Sequence, residues 1–407
     1  MKYSALSLTI LLLSSCSHFK KPMTLEEAVK MEGTDLSLQK VTSQDELVSF
    51  EVPGKLSPTI NHISDKVDFY YSTIDIGASY PMECYIYKTD INPASTLKRM
   101  SEKVISDKKI VGEIAQKEIA LFGAGVALEA SPFMLLHTSY LTKDKKVGKL
   151  KGMIVVKDHS SAVCLHNDVG FNQTFTESFL KVAASLEVKK GKPSEPEYRE
   201  VFLLKMNNIP LGFVTNSLIK AQNKTQVSIQ RTSLLIPVSA SEILSSDGVE
   251  LEISDAKGML TYGRYLHDGE PEKSFSIEVK TNDLKTYNVL GMVGEKTIAT
   301  QLETHGIVSS YGHTKMLPRK LFEQELQQFS IPIYSPSRNP AAVGSLRTSL
   351  KSKSETGAVL RIDSGDGATT SEVDLDGTLK RSIIPAGQFE LIGERVFKLG
   401  TISSPQD

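Results

Sequence analysis

From residue 46 onward the chain is built from short runs in which apolar and polar side chains alternate, the period of a strand with one buried face. In the first part these are Leu47-Val48-Ser49-Phe50-Glu51-Val52, halted by Pro53-Gly54, then residues 67–74, 82–87, 118–122, 126–130, 133–141, 150–156 and 161–166. Two stretches carry a helical period instead. Asn92-Pro93 opens the first, with the Asn92 side chain expected to cap and the proline preset for the first turn, and Leu97, Met100 and Val104 fall on one face. The second has capping-box spacing at Thr174-Phe175-Thr176-Glu177 and an apolar stripe of Phe175, Phe179, Val182 and Leu186. Residues 46–189 therefore read as an α+β domain, an antiparallel sheet flanked by helices.

The pattern breaks at 190–197. Lys190-Gly191-Lys192-Pro193-Ser194-Glu195-Pro196-Glu197 has no large apolar residue to bury and reads as a linker. Beyond it, residues 198–400 are mostly strand-like: 201–206, 212–220, 226–236, 249–253, 259–266, 275–279, 286–292, 358–362, 372–375, 379–384 and 389–392. Asp247-Gly248, Lys257-Gly258 and Asp268-Gly269 supply turn chemistry between them. A single helix is expected with Pro318 at its start and Leu321, Phe322, Leu326 and Phe329 on one side, followed by an extended Ile331–Pro340. Such an order predicts a mainly β domain, a curved antiparallel sheet or half-open barrel with one helix, and a tail at 401–407.

Composition narrows the function classes. The 407 residues are 40% hydrophobic and 23% charged with a formal net charge of -1, a globular profile with no field to draw in nucleic acid. At the amino terminus, Lys2 precedes an apolar run from Ala5 to Leu13 that is too short to span a bilayer. Leu13-Ser14-Ser15-Cys16 then follows. Charged start, apolar run, small residues and cysteine together resemble the lipobox of bacterial lipoproteins. That resemblance implies a signal peptide at 1–15, acylation of Cys16, and membrane attachment through lipid alone. Ser17 is not the aspartate that retains many such proteins in the inner membrane, so the family analogy favours the outer membrane, facing the periplasm. Residues 16–45 read as a tether, about 30 Å across if coiled, with a short helix expected at the Thr24-Leu25-Glu26-Glu27 capping box.

Two further resemblances cover the body. Phe50-Glu51-Val52-Pro53-Gly54, the strand-helix order and the closing helix of residues 46–189 are similar to the PsbP-like fold, also seen in DcrB-type lipoproteins. Leu204 to Phe213, the meander after it and Val373-Asp374-Leu375-Asp376-Gly377-Thr378-Leu379 resemble β domains found beside bacterial transglutaminase-like domains. They are also distantly similar to LolA-like lipoprotein carriers. No catalytic Cys-His-Asp set accompanies these residues, so only a scaffold is implied.

Candidate chemistry is sparse. Cys84 and Cys164 are the only thiols after Cys16 and pair in an oxidising compartment or stay as buried thiols. Cys164 and His166 share a strand face but lack an orienting third group. His159 with His166, and His305 with His313 near Glu303, lack the tight spacing of a zinc site. Glu372, Asp374, Asp376 and Gly377 begin like a calcium loop, but Ile383 stands where the closing glutamate belongs, and a hairpin turn fits better. Asp363-Ser364-Gly365-Asp366-Gly367 reads as a loop, and Gly123-Ala124-Gly125 as a bend between strands. Lys143, Lys145, Lys146, Lys149 and Lys151 read as a solvated hairpin, and Asn172 and Asn223 head glycosylation-type triplets that carry little weight here. No cofactor or metal is expected. The sequence favours a non-catalytic envelope lipoprotein that binds or scaffolds an envelope protein. The alternative is a carrier of a lipid or other apolar ligand in the β domain, and a hydrolase with an unrecognised site comes third.

Overall fold

The structure, a computed structural model, describes residues 38–402 except 54–58, 65–67, 90, 128–129, 158–159, 190–195, 222–224, 366 and 387–388. Cys16, the leader, the capping box at Thr24, most of the linker, His159 and Asn223 lie outside the described residues. The described chain is mostly β, with large antiparallel sheets and four helices.

The first half runs β1 (Leu38–Thr42), β2 (Val48–Pro53), β3 (Ile60–Ser64), β4 (Asp68–Ile74), β5 (Met82–Tyr87), α1 (Pro93–Ser106) and α2 (Lys108–Val111). It continues through β6 (Ile114–Val126), β7 (Pro132–Thr142), β8 (Val147–Lys157), β9 (Ser160–Asn167), α3 (Asn172–Ser185) and β10 (Glu187–Val188). Seven strands form one antiparallel sheet in the order β3-β4-β5-β9-β8-β7-β6, and β1-β2-β10 form a small second one. Alternation along the central strands sends successive side chains to opposite faces. Met153, Val155 and Cys164 join Phe175, Phe179 and Val182 of α3 and Phe50 of β2 in one core. Ile154, Val163 and Leu165 join Ala94 and Leu97 of α1 in another.

The second half is one antiparallel sheet of fourteen strands. One arm is β11 (Tyr198–Met206), β12 (Ile209–Lys220), β13 (Gln226–Pro237), β14 (Ile243–Ser254), β15 (Leu260–Asp268), β16 (Phe275–Thr281), β17 (Thr286–Val293) and β18 (Lys296–Glu303). After α4 (Ser310–Pro318) and a π turn at Arg319–Glu323, the other arm is β19 (Gln328–Ile333), β20 (Gly344–Ser354), β21 (Gly357–Asp363), β22 (Ala368–Asp374), β23 (Leu379–Ala386) and β24 (Phe389–Leu399). Pairing of β11 with β24 joins the arms, which leaves β18 and β19 as the two edges. Pro332 sits in β19, where an edge tolerates its missing donor.

Separation into two independent bodies is only partly visible. Phe213, Leu235 and Ile243 of the second half complete the core beneath α1, and the Ile119 amide donates to the Ala240 carbonyl across the junction. Polar contacts reinforce it. Asp247 of β14 accepts from the amides of Ala94 and Ser95 at 3.1 and 2.8 Å, and the Asn92 amide group donates to Asp268 at 2.8 Å. Thus Asn92 does not cap α1 with its side chain; an aspartate from the other half does.

Several sequence expectations need correction. Asp247-Gly248 lies inside β14, because a twelve-residue ladder with β13 outweighs the local turn signal. Gly123-Ala124-Gly125 continues β6 rather than bending between strands, and the Phe133 ring covers the open side of Gly125. Residues 38–42, assigned to the tether, form β1. Helix α3 starts at Asn172, so Thr174 is inside it and caps nothing. Pro318 ends α4 instead of starting it, and Ser309 is the cap. Lys151 is fully buried, its ammonium donating to the carbonyls of Asp168 and Gly170. Leu326 lies beyond the helical turns and Phe329 in β19, the chain turns at 336–338 instead of staying extended to Pro340, and the strand expected at 126–130 ends at Val126. Of the two states open to the cysteines, the bridge is the one seen: Cys84 and Cys164 face each other on β5 and β9, both without exposure. Gly377 takes φ +79 in the hairpin turn, and Asp374 and Asp376 pair with Arg395 and Lys398 rather than converging on a cation.

Candidate functional site

A cavity of about 410 Å³ lies in the second half, lined from both arms of the sheet and by α4. Helix α4 is seated by three sets of bonds. Ser309 caps it, accepting from the Gly312 amide at 3.0 Å, while its own hydroxyl donates to the Gly258 carbonyl at 3.0 Å. At this seat backbone meets backbone: a Cβ on Gly312 would lie 2.2 Å from the Gly258 oxygen, so only glycine fits. Glu252 of β14 takes the Ser310 amide at 2.7 Å, placing a carboxylate on the helix amino terminus where its charge is favoured. His313 reaches Thr348 of β20 at 3.2 Å. Ahead of the helix, Ile307 accepts from the Leu260 amide and Val308 donates to the Pro332 carbonyl, so one short segment bridges the two arms.

Strand register decides what faces the cavity. Alternate positions share a face, and neighbouring strands bring them into rows. Glu200, Asn216, Gln230, Glu250 and Tyr265 lie opposite one another on β11 to β15, and all five line the cavity. The next row is Tyr198, Leu218, Ser228 and Glu252, ending at Gly263. Tyr265 leans over Gly263, where a Cβ would come within 2.6 Å of its ring, and its hydroxyl donates to Glu252 at 2.8 Å. Glu200 accepts from Tyr198 at 2.5 Å and from Asn216 at 2.8 Å.

Burial raises all three carboxyls toward the neutral form. For Glu200, Asn216 and Tyr198 work against that shift, with help from Arg395 and Lys398 behind the strand. For Glu252, Ser310 and Tyr265 do so. Glu250 has no hydrogen-bond or ion-pair partner among the described residues, and burial with the neighbouring Glu252 charge pushes it up to about 7. The Asn216 carbonyl oxygen is likewise buried and accepts nothing. Apolar side chains such as Leu218, Leu317, Ile333 and Val373 form much of the remaining wall.

Burial lowers His313 to about 4, so the ring stays neutral in the folded chain. An unfolded histidine titrates near 6.5, so this contribution to stability is intact above that pH and is lost as pH falls toward 4. We expect His313→Gln, which keeps a donor for Thr348, to flatten the acid limb: the stability gap to wild type should shift by about 2 kcal/mol in the variant's favour between pH 7.5 and pH 5. Urea melts at the two pH values check this, and parallel curves would exclude it.

The sequence-derived candidates do not assemble elsewhere. His166 lies in the first half under α3, its Nε2 3.1 Å from the Tyr80 carbonyl and its ring 6.0 Å from Phe175, while Cys164 is spent in the disulfide. His305 stays outside the cavity that His313 lines, and among the described residues no group of three or more His, Cys, Asp or Glu could hold a metal. Glu200, Asn216, Gln230 and Glu250 escaped the sequence reading because each resembles an ordinary polar position in an alternating strand. Their only early signal is that Glu250 and Glu252 place two acids on the same face of one strand.

No protein-family model matches the sequence, and no curated protein matches it significantly. Among solved structures, a β-barrel-like protein of the domain of unknown function DUF1849 from Brucella abortus is similar over 50% of this chain and 97% of its own, with 13% identity and a TM-score of 0.40. The solution structure of cyanobacterial PsbP (CyanoP) from Synechocystis sp. PCC 6803 is similar over 39% of this chain and 99% of its own, with 14% identity and a TM-score of 0.27.

Proposed function

We propose that this chain is a non-catalytic lipoprotein of a bacterial cell envelope, held through an acylated Cys16 on the periplasmic face of the outer membrane, whose second half binds an apolar ligand. In this reading the first half is a PsbP-like α+β domain and the second a half-open barrel closed around α4. The cavity carries the proposal: about 410 Å³ is within the range of small-molecule sites, and its wall combines apolar side chains with a few placed polar groups. The bridged Cys84–Cys164 pair suits a chain that matures in an oxidising compartment. Two of the three cavity carboxyls are engaged in holding α4 and the β11–β12 pair, which argues for a structural use over acid-base chemistry.

The neutral apolar dye N-phenyl-1-naphthylamine tests the reading. We expect saturable fluorescence enhancement with the purified chain, and a loss of at least tenfold in affinity in Ser228→Phe, which fills the cavity from the second row while melting like wild type. Absence of saturable binding to the wild-type chain would refute the carrier function.

A second reading has its own support in the first half. Tyr80, Ile110, Val147 and Val169 are each more than half exposed around a groove of about 320 Å³, the kind of patch that marks protein docking. On this reading the lipoprotein scaffolds an envelope protein through that groove.

A further inference from the structure

We propose that the ligand of the β-half cavity is a cationic amphiphile, an apolar body with a protonated amine head, and that Glu250 is the counter-charge for that head. The inference deepens the carrier reading above and depends on it. It begins from the charges in the wall. Among the described residues three carboxyls line the cavity and no lysine or arginine does. Glu200 and Glu252 are each satisfied by two donors from the protein. Glu250 is half-buried on the row that begins with Glu200, two positions before Glu252 on β14, without a donor among the described residues, and the Glu252 charge that acts on it has the same sign.

What Glu250 lacks is therefore a donor. A poorly solvated acceptor without a partner is unfavourable, so a ligand that brings N–H groups recovers that free energy. An ammonium brings three donors and a positive charge, while a hydroxyl brings one donor and no charge. Asn216, two strands away on the same row, holds a second unpartnered acceptor for a further N–H or O–H group of a larger head. Tyr198, Tyr265, Tyr311 and Tyr334 also contribute to the wall, and aromatic faces favour a cation. A carboxylate head, as on a fatty acid, would instead add a fourth negative group to a poorly solvated space.

Calorimetry on the full chain at pH 8 with octylamine, octanol and octanoate separates these cases, since the tails are equal and only the heads differ. We expect octylamine to bind at least tenfold more tightly than octanol, and octanoate most weakly. In Glu250→Gln, which keeps the shape of the side chain, octylamine should fall to within about threefold of octanol, while octanol binding stays as in wild type and reports an intact cavity. Equal binding of octylamine and octanol to wild type, a preference for octanoate, or an octylamine preference that survives in Glu250→Gln would overturn the assignment of Glu250 while leaving the carrier reading standing. No binding of any of the three would remove both.

Discussion

Reducing the Cys84–Cys164 bridge is expected to lower the stability of the first half by roughly 4 kcal/mol, the loop-closure value for two cysteines 80 residues apart. The bond joins β5 to β9, the pair that connects the early strands β3-β4-β5 to the later β9-β8-β7-β6. Without it, the unfolded chain regains the freedom of everything between, including α1 and three long strands. Both cysteines are buried in the core beside Phe175 and Phe179, so the double variant Cys84→Ala/Cys164→Ala should lose slightly more than reduced wild type, the extra being two small voids. Urea denaturation of oxidised, reduced and double-variant protein measures all three. Coincident curves for the oxidised and reduced forms would show that the bridge does not constrain the unfolded chain.

Strand content was legible wherever a strand has one buried face. β2, β4, β5 and β13 were readable from alternation or β-branched content alone, while the sequence left the cysteines open between a bridge and two buried thiols. The missed strands are those that bury little. β1 exposes three of its five residues, β18 five of eight, and β20 is the polar run Gly-Ser-Leu-Arg-Thr-Ser-Leu-Lys-Ser-Lys-Ser. Such strands exist because the adjoining strand offers hydrogen bonds, β2 to β1, β17 to β18, and β19 and β21 to β20, while their own side chains carry little apolar signal. Local signals failed for a different reason. Asp-Gly at 247–248 is turn chemistry in isolation, and Asn-Pro at 92–93 is cap chemistry in isolation, yet each side chain is claimed by the opposite half of the protein. The cavity was illegible at the level of single strands because its polar row is a product of register: one residue from each of five strands. A slip of one position in β13 or β14 would turn Gln230 or Glu250 to the other face.

Asp247→Ala should be the most damaging single substitution at the junction of the halves, at about 3 kcal/mol. The carboxylate is almost fully buried, accepts two amides from the first turn of α1, and is joined there by Ser233. Burial raises its pKa, opposed by the Ser95 and Ser233 donors, so the environment holds the charge only through these bonds. Removing it forfeits the helix cap, which strands two buried amide donors at about 1–3 kcal/mol each. Because the same helix supplies Ala94 and Leu97 to the core that also contains Phe213, Leu235 and Ile243, loosening its amino terminus should uncouple the halves. The expected signature is a single thermal transition in wild type that splits into two in the variant. Asp247→Asn keeps one acceptor in place and should restore most of the loss. If Asp247→Ala melts in one step at the wild-type temperature, the junction is held by apolar packing alone, and the aspartate is incidental to it.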